Sequence, residues 1–258
     1  MDIDLLLQAS IAFVAFSLVA SSIYCINDWR DITFDRLHPI KKNRPLASGL
    51  VSSKEGQLLA MVLFGLALGL SLFINWQLAA VILGYFALNL AYSFGLKNIG
   101  ILDLLCISLG FILRLVAGSV VTGIVLSKWI LLMTFLLALF LALGKRRDDV
   151  VSFMTEGNQY RHSVNEYSLE FVNLAMTMIA SVTIVAYIMY TISEGIMQQL
   201  GSDQLFVTVV WVIIGILRYF QLVFVKNQGG SPTRILFKDH FLQIILALWI
   251  LTFFVLIY

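Results

Sequence analysis

Eight nearly unbroken apolar runs divide the chain, near residues 5–26, 57–74, 77–94, 99–122, 129–143, 169–192, 205–225 and 240–257. A helix rises about 1.5 Å per residue, so runs of this length match a hydrocarbon core about 30 Å thick. The run at 129–143 is short and extends into residue 144. Polar residues gather between the runs instead of alternating with apolar ones. That excludes the short alternating strands of a membrane barrel and predicts helices, each satisfying its own backbone hydrogen bonds. The pattern predicts an all-α, polytopic membrane helical bundle of about eight transmembrane helices. No separate soluble domain is visible.

Composition agrees. Of 258 residues, 60% are hydrophobic and only 12% charged, and mean hydropathy is +0.93, outside the range of soluble globular domains. The first apolar run has no basic leader and carries an acidic motif at its end, so it is expected to be a retained helix and not a cleaved signal. Cys25 and Cys106 lie inside apolar runs and read as small packing residues, not a disulfide framework.

Charge distribution sets the expected orientation. With eight spans, the loops after the odd-numbered helices share one side. Fifteen of the 17 Lys and Arg fall there, leaving Lys128 opposite and Arg114 within the fourth run. The positive-inside rule makes the crowded side cytoplasmic. A membrane setting with a net charge of only +2 goes with no nucleic-acid partner.

The candidate chemistry also sits on that side. NDWRDITFD at 27–35 places Asp28, Asp31 and Asp35 at i, i+3 and i+7, on one face of a helix. Three carboxylates so close repel unless a cation offsets them. Mg²⁺ suits such oxygen ligands and usually bridges to substrate phosphates. HPIKKNRPLASG at 38–49 follows, with His38, Lys41, Lys42 and Arg44 held between Pro39 and Pro45, and a turn at Ser48 and Gly49. Acid clusters beside cations at a membrane surface suggest a metal-bridged diphosphate.

Three further patches accompany this one. YSFGLKNIGILD at 92–103 puts Lys97 in a tight turn and Asp103 about one turn into the fourth helix. Arg114 follows Asp103 by 11 residues, close to three full turns, on the same face but roughly 16 Å deeper. An intramembrane Arg is a functional candidate by default, though pairing or snorkelling explains it equally well. GKRRDDV at 144–150, with Arg161, Glu166 and Tyr167, can supply phosphate donors and metal ligands, or merely a topology signal. LRYF at 217–220, NQGGSP at 227–232 and Asp239 form the weakest patch, which a simple interhelical turn would also explain.

NDxxDxxxD at a helix end, followed by HPxKxxRPxASG, resembles the UbiA-type superfamily of intramembrane prenyltransferases. Tyr92, Lys97, Asp103, GFxxR at 110–114, Trp129, GKR at 144–146, Glu166-Tyr167, LRY at 217–219 and Gly229-Gly230 are more narrowly similar to its decaprenyl-phosphate phosphoribosyltransferase branch. The resemblance runs along nearly the whole chain as one UbiA-like transmembrane domain over 1–258. It implies transfer of 5-phosphoribose from phosphoribosyl diphosphate to a polyprenyl phosphate, releasing diphosphate, for lipid-linked arabinose in cell-wall synthesis. A bacterial cytoplasmic membrane, with the site facing the cytoplasm, is the implied location. Members usually begin with one more helix, so nine are expected where this chain has eight. The branch's KRxxE carries Glu where Asp149 stands here.

The implied site comprises Asp28, Asp31 and Asp35 as catalytic carboxylates, which with Asp149 would ligate Mg²⁺. Asn27, Lys41, Arg44, Tyr92, Lys97, Arg114, Lys145, Arg146, Arg147, Glu166 and Tyr167 would bind substrate. The metal and cations would draw off the diphosphate while an acceptor phosphate oxygen attacks the anomeric carbon. That acceptor is already ionised near neutral pH, so no strong general base is needed. Two alternatives remain open at this stage. One is a polyprenyl diphosphate donor alkylating an aromatic acceptor; the other is a transporter whose Asp103 and Arg114 line an ion path.

Overall fold

The computed structural model describes residues 3–37, 40–156, 166–226 and 232–257, and among these there is no strand. The helices are α1 (Ile3–Arg30), α2 (Ile32–Leu37), α3 (Pro45–Ser48), α4 (Ser53–Ile74), α5 (Trp76–Phe94), α6 (Leu102–Thr122), α7 (Lys128–Glu156), α8 (Leu169–Thr191), α9 (Glu194–Leu200), α10 (Val209–Phe220), α11 (Pro232–Lys238) and α12 (His240–Ile257). Among the described residues, eight segments are long and apolar enough to cross a membrane, and they overlap the eight apolar runs of the sequence.

Local chemistry marks the boundaries. Ser52 caps α4 by accepting from the Glu55 N–H, and the Glu55 carboxylate accepts from the Ser52 N–H, a reciprocal capping box. Asn75 alone separates α4 from α5. Its N–H donates to the Ser71 carbonyl, and its side chain accepts from the Leu78 N–H. Ser168 caps α8 in the same way, through the Phe171 N–H.

One boundary departs from the sequence pattern. The fifth run was expected near 129–143, with the GKRRDDV charges outside it, but α7 continues to Glu156. No proline interrupts 144–156, and Arg146 and Arg147 find partners along α7 and on neighbouring segments, described below. Helical hydrogen bonding therefore persists where apolar patterning stops.

The chain forms two compact units. The first holds the residues up to Leu131 together with Glu166; the second holds the rest of α7 and the chain from Tyr167 onward. In the first, α1 packs against α4, α5 and α6. Its core brings Ala12, Phe16 and Val19 of α1 against Ala67, Leu78, Ile82, Tyr85, Ala117 and Val121. Small residues permit the α1–α4 approach, and there the buried Ser22 hydroxyl donates to the Ala60 carbonyl at 2.8 Å.

The second unit joins its helices through hydroxyl and indole groups. Trp249 Nε1 donates to the Tyr187 hydroxyl at 2.8 Å, and that hydroxyl lies 2.8 Å from Thr208 Oγ1. Trp211 Nε1 donates to Thr252 Oγ1 at 3.0 Å, linking α10 to α12.

Gly144 is required by close approach. A Cβ built there would sit 2.5 Å from the Tyr219 hydroxyl. Gly144→Ala is expected to lower stability by about 1–3 kcal/mol, the usual overpacking range. Adding Tyr219→Phe removes the clashing oxygen and should restore part of the loss. Thermal unfolding of both variants in detergent checks this; additive effects would refute the proposed contact.

Candidate functional site: a carboxylate cluster held by two internal cations

The acidic motif begins as α1 and continues past its end. A turn at Asp31 separates α1 from α2, yet the Asp31 N–H still donates to the Asn27 carbonyl at 2.9 Å and the Asp35 N–H to Asp31 at 2.8 Å. The i, i+3, i+7 relation of Asp28, Asp31 and Asp35 therefore survives the break, and the three carboxylates stay on one side.

Arg44 enters this cluster because of Pro45. A residue before proline is driven toward extended backbone, and Arg44 has φ −63° and ψ 144° while Pro45 opens α3. The Arg36 Nε donates to the Ala47 carbonyl at 3.0 Å, fastening α3 against α2. Gly49, with φ 83°, ends the short helix. So placed, a single guanidinium nitrogen, Arg44 Nη1, lies 2.7 Å from Asp28 Oδ1 and 2.9 Å from Asp35 Oδ2.

Lys97 arrives from a different loop. It sits in a 3₁₀ turn, Leu96–Asn98, between α5 and α6 and is buried. Its Nζ is 2.5 Å from Asp31 Oδ1 and 3.2 Å from Asn27 Oδ1. The turn is closed tightly. Ile101 has φ 68° and ψ −46°, and the Leu102 N–H donates back to the Gly100 carbonyl at 2.8 Å. This is a γ-turn centred on a β-branched residue, a strained conformation. Asp103 follows it, fully buried at the start of α6. Gly100 leaves room for Glu166, whose Cβ would be 3.1 Å from a Cβ at 100.

Three carboxylates and two cations thus meet at the end of an apolar bundle, with a net formal charge of −1. Lys41 and Tyr92 are half-buried nearby in sequence. Asp28, Asp31, Asp35 and Asn27 offer only oxygen ligands, a donor set that fits a hard divalent ion such as Mg²⁺. Among the described residues no three acidic, His or Cys groups already converge as a ready ion cage; Arg44 and Lys97 take the positions between them.

Arg114 lies elsewhere. Exposed on α6, it reaches the Tyr85 hydroxyl at 3.4 Å and lies over the rings of Phe111, Phe16 and Tyr85. With Ala9, Ala12, Ser17 and Tyr24 of α1 it lines a half-open groove of about 450 Å³. Phe16 is 12 residues before Asp28, so Arg114 sits roughly 18 Å along α1 from the carboxylates.

In the second unit, Arg146, Arg147 and Asp149 of GKRRDDV are partnered within the helices. Arg146 is buried and donates to Asp149 Oδ2 at 2.6 Å. Arg147 donates to Asn173 Oδ1 at 3.0 Å and to the Val223 carbonyl at 2.7 Å. Val223 belongs to a π-helical segment, Gln221–Val225, whose wider turn frees carbonyls that an α-helix would occupy. Arg147 therefore ties α7, α8 and this segment together. Its role there could not be read from GKRRDDV, because neither Asn173 nor the π-helical turn carries a sequence signal. Lys145 is exposed on α7, and Tyr167 is buried against Phe171 with ring centroids 6.1 Å apart.

Arg218 of the LRYF patch is closed by Asp239 in a two-pronged pair, Nε to Oδ1 at 3.2 Å and Nη2 to Oδ2 at 2.7 Å. Asp239 also caps α12 through the Leu242 N–H. The Arg218 hydrogen bonds hold the Asp239 carboxyl below the ordinary carboxylate range. His38, Pro39, Arg161, Gly229 and Gly230 lie outside the described residues.

Residues 2–150 match the model of the UbiA prenyltransferase family. The chain is 37% identical over 253 residues to the decaprenyl-phosphate phosphoribosyltransferase of Mycolicibacterium smegmatis, covering 96% of this chain and 79% of that one. It is 34% identical over 247 residues to the enzyme of the same name from Corynebacterium glutamicum, covering 95% and 74%. Its fold resembles a UbiA homolog from Archaeoglobus fulgidus bound to DMAPP and Mg²⁺, with TM-score 0.72 at 22% identity over 97% of this chain and 87% of that one. The chain belongs to the UbiA prenyltransferase family and is a multi-pass membrane protein.

Arg147→Met is expected to destabilise the second unit by about 2–4 kcal/mol, since it leaves the Asn173 and Val223 oxygens without their charged donor. A fall in melting temperature in detergent checks it. An unchanged melting temperature would remove the structural role.

Proposed function

We propose that the protein transfers the 5-phosphoribosyl group of phosphoribosyl diphosphate to a polyprenyl phosphate, at the cytoplasmic face of a bacterial inner membrane. The product would be a lipid-linked pentose phosphate for cell-wall synthesis. The observation that carries the reading is the cluster of Asp28, Asp31, Asp35, Arg44 and Lys97 at the end of α1. Near-full-length similarity to two enzymes named for this reaction supports the choice of donor and acceptor.

The chemistry needs charge neutralisation more than proton transfer. The bond between the anomeric carbon and the diphosphate oxygen breaks, and its electron pair leaves with diphosphate. Asp28, Asp31 and Asp35, with the Asn27 amide oxygen, would hold Mg²⁺, which when bound offsets the charge developing on the leaving group. Arg44 and Lys97 donate hydrogen bonds to the same phosphates, as charge-assisted donors in a partly buried site. An ionised oxygen of the acceptor phosphate forms the new bond to carbon. No side chain has to remove a proton. The apolar helices beside the cluster suit a polyprenyl acceptor that arrives through the bilayer.

Protein in polyprenyl-phosphate micelles should transfer label from phosphoribosyl diphosphate into lipid, and chelating the divalent ion should stop it. Asp28→Asn and Asp31→Asn should each lower kcat by about a hundredfold or more, the scale lost with one strong electrostatic group. Label entering lipid only from a prenyl diphosphate, with an aromatic acceptor, would instead assign the other chemistry of the family. Near-normal rates in both variants would refute the role of the cluster.

A further inference from the structure

We propose that Arg44 and Lys97 are exchangeable counter-ions: the entering divalent cation displaces them from the carboxylates, and the displacement turns them toward the donor's phosphates. This rests on the metal–diphosphate reading above and adds the coupling between the two ligands.

Both kinds of cation need the same oxygens. Asp28 and Asp35 offer oxygens to one nitrogen of Arg44, at 2.7 and 2.9 Å. Asp31 and Asn27 offer theirs to Lys97 at 2.5 and 3.2 Å. A magnesium ion bonds carboxylate oxygen at about 2.0–2.1 Å. An ammonium on the same Asp31 oxygen would then face a dication at close range, where repulsion in a partly buried site amounts to several-fold in affinity or more. An ion that takes these oxygens competes directly with the two side chains for them.

The released cations have little freedom to leave. Lys97 hangs from a 3₁₀ turn locked by the Ile101 γ-turn, and only about a tenth of its side chain is exposed. Arg44 is fixed by Pro45 and by the α2–α3 contact through Arg36. Their backbones stay, and only their flexible stems move. Metal binding alone therefore creates a crowd of positive charge, and a diphosphate relieves it. By linkage, the metal and the diphosphate each strengthen the other's binding by the same factor. A metal–diphosphate complex is the form that the site favours.

The test uses manganese as the probe, following its free-ion paramagnetic resonance signal with full-length protein in nanodiscs. Wild type should bind Mn²⁺ alone weakly and manganese pyrophosphate more tightly. Lys97→Gln should bind Mn²⁺ alone about fivefold tighter, because a like charge is gone. The same variant should bind manganese pyrophosphate about tenfold more weakly, because a charge-assisted donor is gone. Opposite signs in one variant cannot arise from general loosening of the fold, which weakens both. Arg44→Gln should show the same pair of signs and serves if Lys97→Gln does not fold, as judged by melting temperature. If the wild type binds Mn²⁺ but neither variant binds it more tightly, the exchange is refuted. If the wild type binds Mn²⁺ in neither form, the metal–diphosphate reading itself falls.

Discussion

Like-charge repulsion among three carboxylates on one helical face is the constraint around which the first unit is arranged. Asp28, Asp31 and Asp35 end an apolar helix at its polar mouth, where the surroundings screen charge less than bulk water does. Left alone they would push α1 and α2 apart. The chain answers with two cations from separate loops, Arg44 after a proline-led turn and Lys97 from a strained one. Both loops are thereby tied to the end of α1 and to α2. The result is stable as it stands and still carries one net negative charge.

That arrangement links fold to activity in a specific way. The α1–α4 contact, made possible by Ala and Ser side chains, fixes the helix that carries the carboxylates. The α5–α6 connection fixes Lys97, and Ile101 stores strain where the backbone must turn sharply between them. Strain of this sort persists only where neighbouring structure holds it in place. Here Lys97 is paired with Asp31 on one side of the turn, and Asp103 is fully buried on the other.

Much of this was legible in the sequence. The eight spans followed from apolar run length, because water is absent from the bilayer and only helices satisfy the backbone there. The three aspartates followed from helical period, and the period holds through the turn at Asp31. What could not be read were the partners. Arg44 and Lys97 were expected to face phosphate, whereas in this structure they face carboxylates, since long-range pairing leaves no local pattern. Arg146 and Arg147 belonged to a run that reads as a loop, but α7 carries them inward as helix. The carbonyl that Arg147 needs is exposed by a π-helical turn 76 residues away, and no spacing rule reports such a turn.

Comparison of the arginines explains why one cluster is suited to ligand exchange. Arg218 meets Asp239 through two nitrogens and two oxygens, and that carboxylate also caps α12. Moving the pair apart would break both hydrogen bonds of a two-pronged pair whose carboxylate is itself anchored to the start of α12, so it reads as a fixed clamp. Arg147 is held by an amide and a backbone carbonyl inside the unit, partners that no phosphate could replace without opening it. Arg44 differs on each count. It uses one nitrogen for two carboxylates, its side chain is 36% exposed, and both partners are themselves metal-type ligands. Exchange is easiest where the incoming ion takes the same oxygens and the outgoing cation finds water or phosphate at once. In this chain the same residue type thus serves as clamp, staple or movable counter-ion, according to how many of its donors are engaged and what else the partner oxygens hold.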